Sequence, residues 1–175
     1  GVYSTQFFDE YNLRGTETPL SEPINETIKR INKDQRTQAV AVYFDNRYFI
    51  AVPVDKFKDN RTENAVSGEF LTEASALLAG IPRDNIVESV ALRNNVILVY
   101  NFLNKQWESI DSVDNSEWDI ENLIVSGEGS NRGVYAINRL GGIHKLDSRL
   151  QGDDLINVSI GGSDVAEDIK GSITT

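Results

Sequence analysis

The sequence predicts a mainly β fold of four-stranded antiparallel blades, a partial β-propeller or a fragment of one. Three observations carry this. Short apolar, β-prone stretches recur about every ten residues with turn signals between them, the rhythm of sandwiches, barrels and propellers. Residues 96–102 are apolar almost throughout and too short for a globular helix, which marks a strand buried on both faces. Propeller blades are covered on both sides by their neighbours, so two-faced strands favour that architecture. Finally, the strands fall into two sets of four: 39–44, 48–54, 96–102 and 107–111, then 120–125, 134–138, 143–146 and 155–160. Two blades cannot close a ring. The chain is therefore expected to be a propeller portion, a processed product or internal piece of a longer protein; its Gly1 start and lack of Met point the same way.

Taken in order, residues 1–20 open with an aromatic cluster, Tyr3, Phe7, Phe8 and Tyr11, read as a strand or apolar turn, and continue into a loop around Gly15 and Pro19. Ser21 can cap a helix, and Pro23 sits in the first turn, where its missing N–H costs nothing. Ile24, Ile28 and Ile31 follow at helical spacing, which predicts a short amphipathic helix near 22–32. Lys29 and Arg30 near its end suit the helix dipole. The strands at 39–44 and 48–54 are broken by Asp45, Asn46 and Arg47, a hairpin signal. Pro53 suggests a strand end or an edge.

From Asp55 to Asn94 the character changes. A charged approach leads to Phe70, Ala74, Leu77 and Leu78 at helical spacings, and Gly80 and Pro82 end the pattern. Ile81, Ile86, Val87, Val90 and Leu92 are candidates to pack it down. This predicts an insertion at 55–94, with a helix near 64–79, between two strands of one blade. Long connections of this kind are functional or flexible as often as structural. The strand at 96–102 and the Trp107 strand form a hairpin, and 96–102 is expected to pair antiparallel with 48–54 across the insertion. Tyr48, Val99, Tyr100, Phe102, Trp107 and Tyr135 are the expected structural core.

Composition narrows the function classes. Seventeen basic residues against 27 acidic ones leave a net charge of −10, which suits solubility and does not suit a phosphate-gripping surface. With no Cys, disulfides and thiolate metal sites are excluded, and a single His leaves only carboxylates as metal ligands. No apolar run has membrane-spanning length, and no signal-peptide pattern opens the chain. Three glycosylation-type sequons, at Asn25, Asn60 and Asn157, are read as chance in the absence of a secretory signal.

Two resemblances follow from the strand segments. The stretch from Val99 to Trp107, with a Tyr strand, a turn and a Trp strand, resembles a kelch-type blade. A more specific resemblance joins segments in order: Ile28 to Asn32, Ala39 to Tyr43, Asn46 to Pro53, Asn95 to Phe102, Trp107 to Asp111, and Gly133 to Asn138. This series is similar to the propeller region of the tail nozzle, or tail tubular protein B, of short-tailed phages, over roughly residues 20–150. The resemblance implies a virion protein in a phage tail, a homo-hexamer beneath a ring of tail adaptor proteins, with tail fibres near that junction. DNA would pass through its channel without specific binding. Members of that family are several times longer, and the insertion at 55–94 departs from their compact blade.

The chemistry-bearing residues argue against an enzyme. His144 has no nucleophile motif beside it and falls in a predicted strand, so a structural or solvent-facing role is expected. The pairs Asp9/Glu10 and Asp153/Asp154, and Asp111 with Asp114, match no EF-hand spacing, and adjacent carboxylates point apart. Gly127 and Gly129 lack the third glycine and the helix of a phosphate loop. The strand aromatics lack the basic surroundings of a nucleic-acid stacking platform. No catalytic residue, metal or cofactor is expected. The alternatives are a kelch-like interaction module and, more remotely, a carbohydrate-active propeller using paired carboxylates.

Overall fold

The computed structural model describes residues 5–9, 12–15, 20–61, 65–112, 119–129, 132–146 and 170–172. They form a mainly β structure of antiparallel sheets, and no closed barrel or propeller is present among them. The main sheet has five strands, in the order β12 (Lys170–Ser172), β8 (Gln106–Ser112), β7 (Val96–Asn101), β4 (Arg47–Val52) and β3 (Val40–Phe44). A second sheet has three: β11 (Ile143–Lys145), β10 (Gly133–Asn138) and β9 (Ile120–Ser126). Two hairpins stand apart as two-stranded ladders, β1 (Thr5–Asp9) with β2 (Asn12–Gly15) and β5 (Lys56–Asp59) with β6 (Ile86–Ser89).

The first predicted set of four strands is present as one meander. β3 and β4 join through Asp45 and Asn46, both at positive φ (48° and 60°), the two-residue hairpin that matches strand twist. β4 pairs antiparallel with β7 in an unbroken register from Arg47 opposite Asn101 to Val52 opposite Val96. The expected pairing across the insertion is thus observed. In the β7–β8 turn, Asn101 Oδ1 accepts the backbone N–H of Leu103 (2.8 Å) and of Asn104 (3.1 Å), while Lys105 takes positive φ. The meander gains a fifth strand, because β12 adds outside β8. Of the second set, three strands are seen, and 155–160 lies outside the described residues.

All six residues of β7 are buried, because the main sheet is covered on both faces. On one face Phe49, Ala51, Ile97 and Val99 pack with Ile120, Leu123, Val134 and Ala136 of the second sheet. Alternation along each strand turns the other residues away. Val52, Val96, Leu98 and Ile110 meet Ile24, Val54, Ile28, Ile31 and Leu71 there. All three isoleucines of the predicted amphipathic helix therefore reach one core.

The helix itself is shorter than 22–32. A 3₁₀ turn over Glu22–Ile24, with Pro23 inside it, leads to α1 (Asn25–Lys29). Ile31 is no longer helical; it bridges Val54, so the chain leaves the helix to join the edge of the core. The insertion also differs from a purely helical one. Its base is the β5–β6 ladder, and its helix is only α2 (Glu73–Leu78). Phe70 is extended, bridging Phe57, which blocks an earlier helix start. Thr72 then caps α2, its hydroxyl accepting Ser75 N–H at 3.0 Å. The buried face of α2 is Ala76, whereas Leu78 is 90 % exposed. Of the proposed packing residues Ile81 is buried, while Val90 and Leu92 are exposed.

Candidate functional site

The expected core residues separate into three groups. Val99 and Tyr100 are buried. Tyr48, Trp107 and Tyr135 are half-buried, and Trp107 donates its indole N–H to the Leu20 carbonyl at 2.7 Å. Phe102 is 48 % exposed, a correction to its expected place in the core. The physical reason is that β7 ends at Asn101, whose side chain starts the turn, so Phe102 lies beyond the ladder. Its ring instead completes an edge-to-face series from Trp107 through Tyr100 to Phe102 and the exposed Tyr43, with centroids 5.2, 5.2 and 5.7 Å apart. The structure lines these aromatics up across one end of the main sheet, from Trp107 on β8 to Tyr43 on the β3 edge. Tyr135, on the second sheet, is not among them.

His144 is buried on β11. Its Nε2 lies 3.2 Å from Asn138 Nδ2, and Asn138 Oδ1 accepts Gly142 N–H at 2.7 Å. The three residues knit the β10–β11 turn, a structural role. Asp111 and Asp114 do not form a described pair, because Asp114 lies outside the described residues, as do Glu10, Asp153 and Asp154. Among the described residues no group of three or more His, Asp or Glu side chains is placed to hold a metal ion, and no helix is long and apolar enough to cross a membrane.

The site that sequence reasoning missed lies where the two sheets meet. A cleft of about 200 Å³ is lined by Gln38, Arg93, Asn94, Asp119, Ile120, Glu121 and Arg139. Four separate segments supply it: the 3₁₀ turn before β3, the residues before β7, the start of β9 and the end of β10. Asn94 holds them together. Its amide Nδ2 donates to the carbonyls of Gln38 (2.7 Å) and Ile120 (3.0 Å), and its own carbonyl accepts Ile120 N–H at 2.9 Å. Its Oδ1 is buried and has no hydrogen-bond partner among the described residues. Arg93 pairs with Asp119 at 3.2 Å, and Arg139 N–H donates to the Asp119 carbonyl at 2.9 Å. Two arginines and two carboxylates balance in charge, so the cleft has no net pull on an anion or a cation. Its evident work is to lock sheet to sheet.

Asn95 plays a parallel part for the insertion. Its Oδ1 accepts Val54 N–H (2.9 Å) and its Nδ2 donates to Val54 O (3.0 Å), imitating a strand residue. Asp55 Oδ1 accepts Ala91 N–H at 2.7 Å, and Arg30 donates to Asp55 O at 2.9 Å. Further out, Asp59 accepts the Arg61 guanidinium, Arg61 N–H and Val66 N–H. The Arg61 hydrogen bond, helped by the backbone donors, holds the Asp59 carboxyl well below the usual carboxylate range. A sequence signal existed for the central clamp: two consecutive asparagines directly before a two-faced strand. It reads equally well as a turn.

Comparison with known proteins assigns no family: the chain matches no family model, no curated protein and no solved structure.

Proposed function

We propose that the chain is a structural component of a phage tail nozzle, a propeller portion that works by assembling with further copies around a DNA channel. The observation that supports this reading is the β4–β7 pairing across the insertion. Four of the six segments that carry the resemblance form one four-stranded meander, β3–β4–β7–β8, and a fifth, Gly133 to Asn138, is β10 of the antiparallel sheet stacked on its face. Stacked antiparallel sheets of this kind are how neighbouring propeller blades bury their strands. The net charge of −10 fits a wall past which DNA slides, since like charge repels phosphate.

Light scattering on the purified protein tests the assembly. A ring of six is the expected result. A stable monomer at every concentration would refute it and favour the kelch-like interaction module. A map of charge in the assembled ring tests the channel, and a basic inner wall would overturn the proposed free passage of DNA.

A further inference from the structure

The main sheet ends at β3, and among the described residues nothing pairs with its outer edge. The geometry of the β3–β4 hairpin says which groups that edge presents. A two-residue turn is closed by a hydrogen-bonded pair, here Phe44 with Arg47. Alternation then makes Val42/Phe49 and Val40/Ala51 hydrogen-bonded pairs as well. Ala41 and Tyr43 are left with N–H and C=O groups pointing outward. The strand reads Val-Ala-Val-Tyr-Phe, with no charge and no proline. Proteins that keep an edge from pairing use Lys, Pro or a bulge there, and this one uses none of them. Beside the edge lie the exposed rings of Tyr43 and Phe102.

The same chain holds a second incomplete sheet. β1 and β2 pair only with each other among the described residues. A lone two-stranded hairpin is marginal in water, and a third strand is what stabilises it. β1 has five residues, the length of β3, and is uncharged from Thr5 to Phe8. In a chain of net charge −10, the uncharged run Thr5–Phe8 of β1 and the uncharged β3 edge are where copies can meet without repulsion.

We propose that the Thr5–Gly15 hairpin of one copy adds through β1 to the β3 edge of the next copy, joining copies head to tail. The contact is heterologous, so repetition closes a ring when the rotation allows. Main-chain hydrogen bonds from Ala41 and Tyr43 supply the pairing, beside the exposed Tyr43–Phe102 rings. This rests on the ring reading above and names the surface that builds it.

Because the chain has no cysteine, single introduced thiols report cleanly. A chain with Ala41→Cys is mixed with chains carrying Gln6→Cys, Phe7→Cys or Phe8→Cys in turn, and each mixture is oxidised. A mixed disulfide dimer that neither chain forms alone is the expected result. A ring that yields no mixed disulfide removes the docking and leaves the nozzle reading standing. Efficient self-crosslinking of the Ala41→Cys chain alone would show edge-to-edge pairing of two β3 strands and also overturn it. A wild-type monomer would remove the ring reading and this docking together. The companion variant is Ala41→Pro, which deletes an outward N–H while leaving the bonds to β4. Its expected mass is that of the monomer with a retained cooperative melt, and persistence of the ring would refute the proposal.

Discussion

Replacing Asn94 in two ways separates what its carboxamide gives from what it costs. Asn94→Ala deletes two donated hydrogen bonds, to Gln38 O and Ile120 O, each contributing about 1 kcal/mol net. It also removes the buried, unpartnered Oδ1, whose desolvation costs about 1–3 kcal/mol. Against that relief, the Gln38 and Ile120 carbonyls lose this donor and a gap opens where the side chain stood, so a net loss of about 1–3 kcal/mol is expected. Asn94→Asp keeps the shape but replaces the donor with a carboxylate oxygen facing two carbonyls. A buried charge without compensation costs about 3–5 kcal/mol. For a chain of this size each kcal/mol moves Tm by about 2–4 °C, so the aspartate variant should melt about 10 °C lower and the alanine variant about 5 °C lower than wild type. The sign with pH follows. Burial raises the introduced carboxyl above its unfolded pKa of about 4, so the folded state binds the proton more tightly and the deficit shrinks as pH falls from 7 toward 5. Thermal melts followed by far-ultraviolet circular dichroism at both pH values decide it. Equal losses in the two variants, or an aspartate deficit independent of pH, would refute the assignment of Asn94 as the donor that clamps the sheets.

The remaining predictions concern other parts of the fold. Gly142→Ala is expected to cost about 1–3 kcal/mol by overpacking, because a Cβ there would stand 2.7 Å from Asn138 Nδ2 and 3.0 Å from His144 Nε2; a wild-type urea midpoint would show that the turn can yield. Asp59 stabilises the fold fully above the unfolded carboxylate range, and its contribution is lost as pH falls through its depressed folded pKa. Wild-type stability should therefore decline below about pH 4 more steeply than that of Asp59→Asn, as read from the difference in Tm between the two. Val99→Ala, which empties space between the sheets, should cost about 1–3 kcal/mol, whereas Phe102→Ala, on a half-exposed ring, should cost under about 1 kcal/mol by the same denaturant titration; the reverse order would return Phe102 to the core.

The strands of the main sheet were legible because their signal is local. A run such as Val96 to Tyr100 has no polar residue to turn toward water, so two-sided burial is written into the run itself. The β4–β7 pairing followed because two such strands satisfy each other best as neighbours. The strand ends were less legible. Phe102 extends the apolar run, yet Asn101 is the residue whose side chain satisfies the next two backbone N–H groups, and a short polar side chain that competes with the ladder ends a strand whatever follows it. The strands of the insertion escaped notice for a related reason. Lys56-Phe57-Lys58-Asp59 and Ile86-Val87-Glu88-Ser89 are four residues each, and charge masks their alternation until the pairing is seen.

The central clamp was the least legible feature. Asn94 reaches carbonyls 56 residues before it and 26 residues after it, and neither carbonyl has a side-chain signature. Any segment can offer a backbone oxygen, so no pattern in the sequence can name the acceptors. What the sequence could show is the donor, a polar residue set against a strand with no room for one. Asn94 and Asn95 stand there together and do different work, one locking the second sheet to the first and the other closing the root of the insertion. Adjacent residues on extended backbone point opposite ways, so a pair of asparagines at the mouth of a two-faced strand serves both faces at once. That arrangement explains why a break of forty residues leaves the register of β4 on β7 undisturbed: residues 55–94 leave and return through contacts that copy strand pairing, and the sheet continues as though the chain had never left.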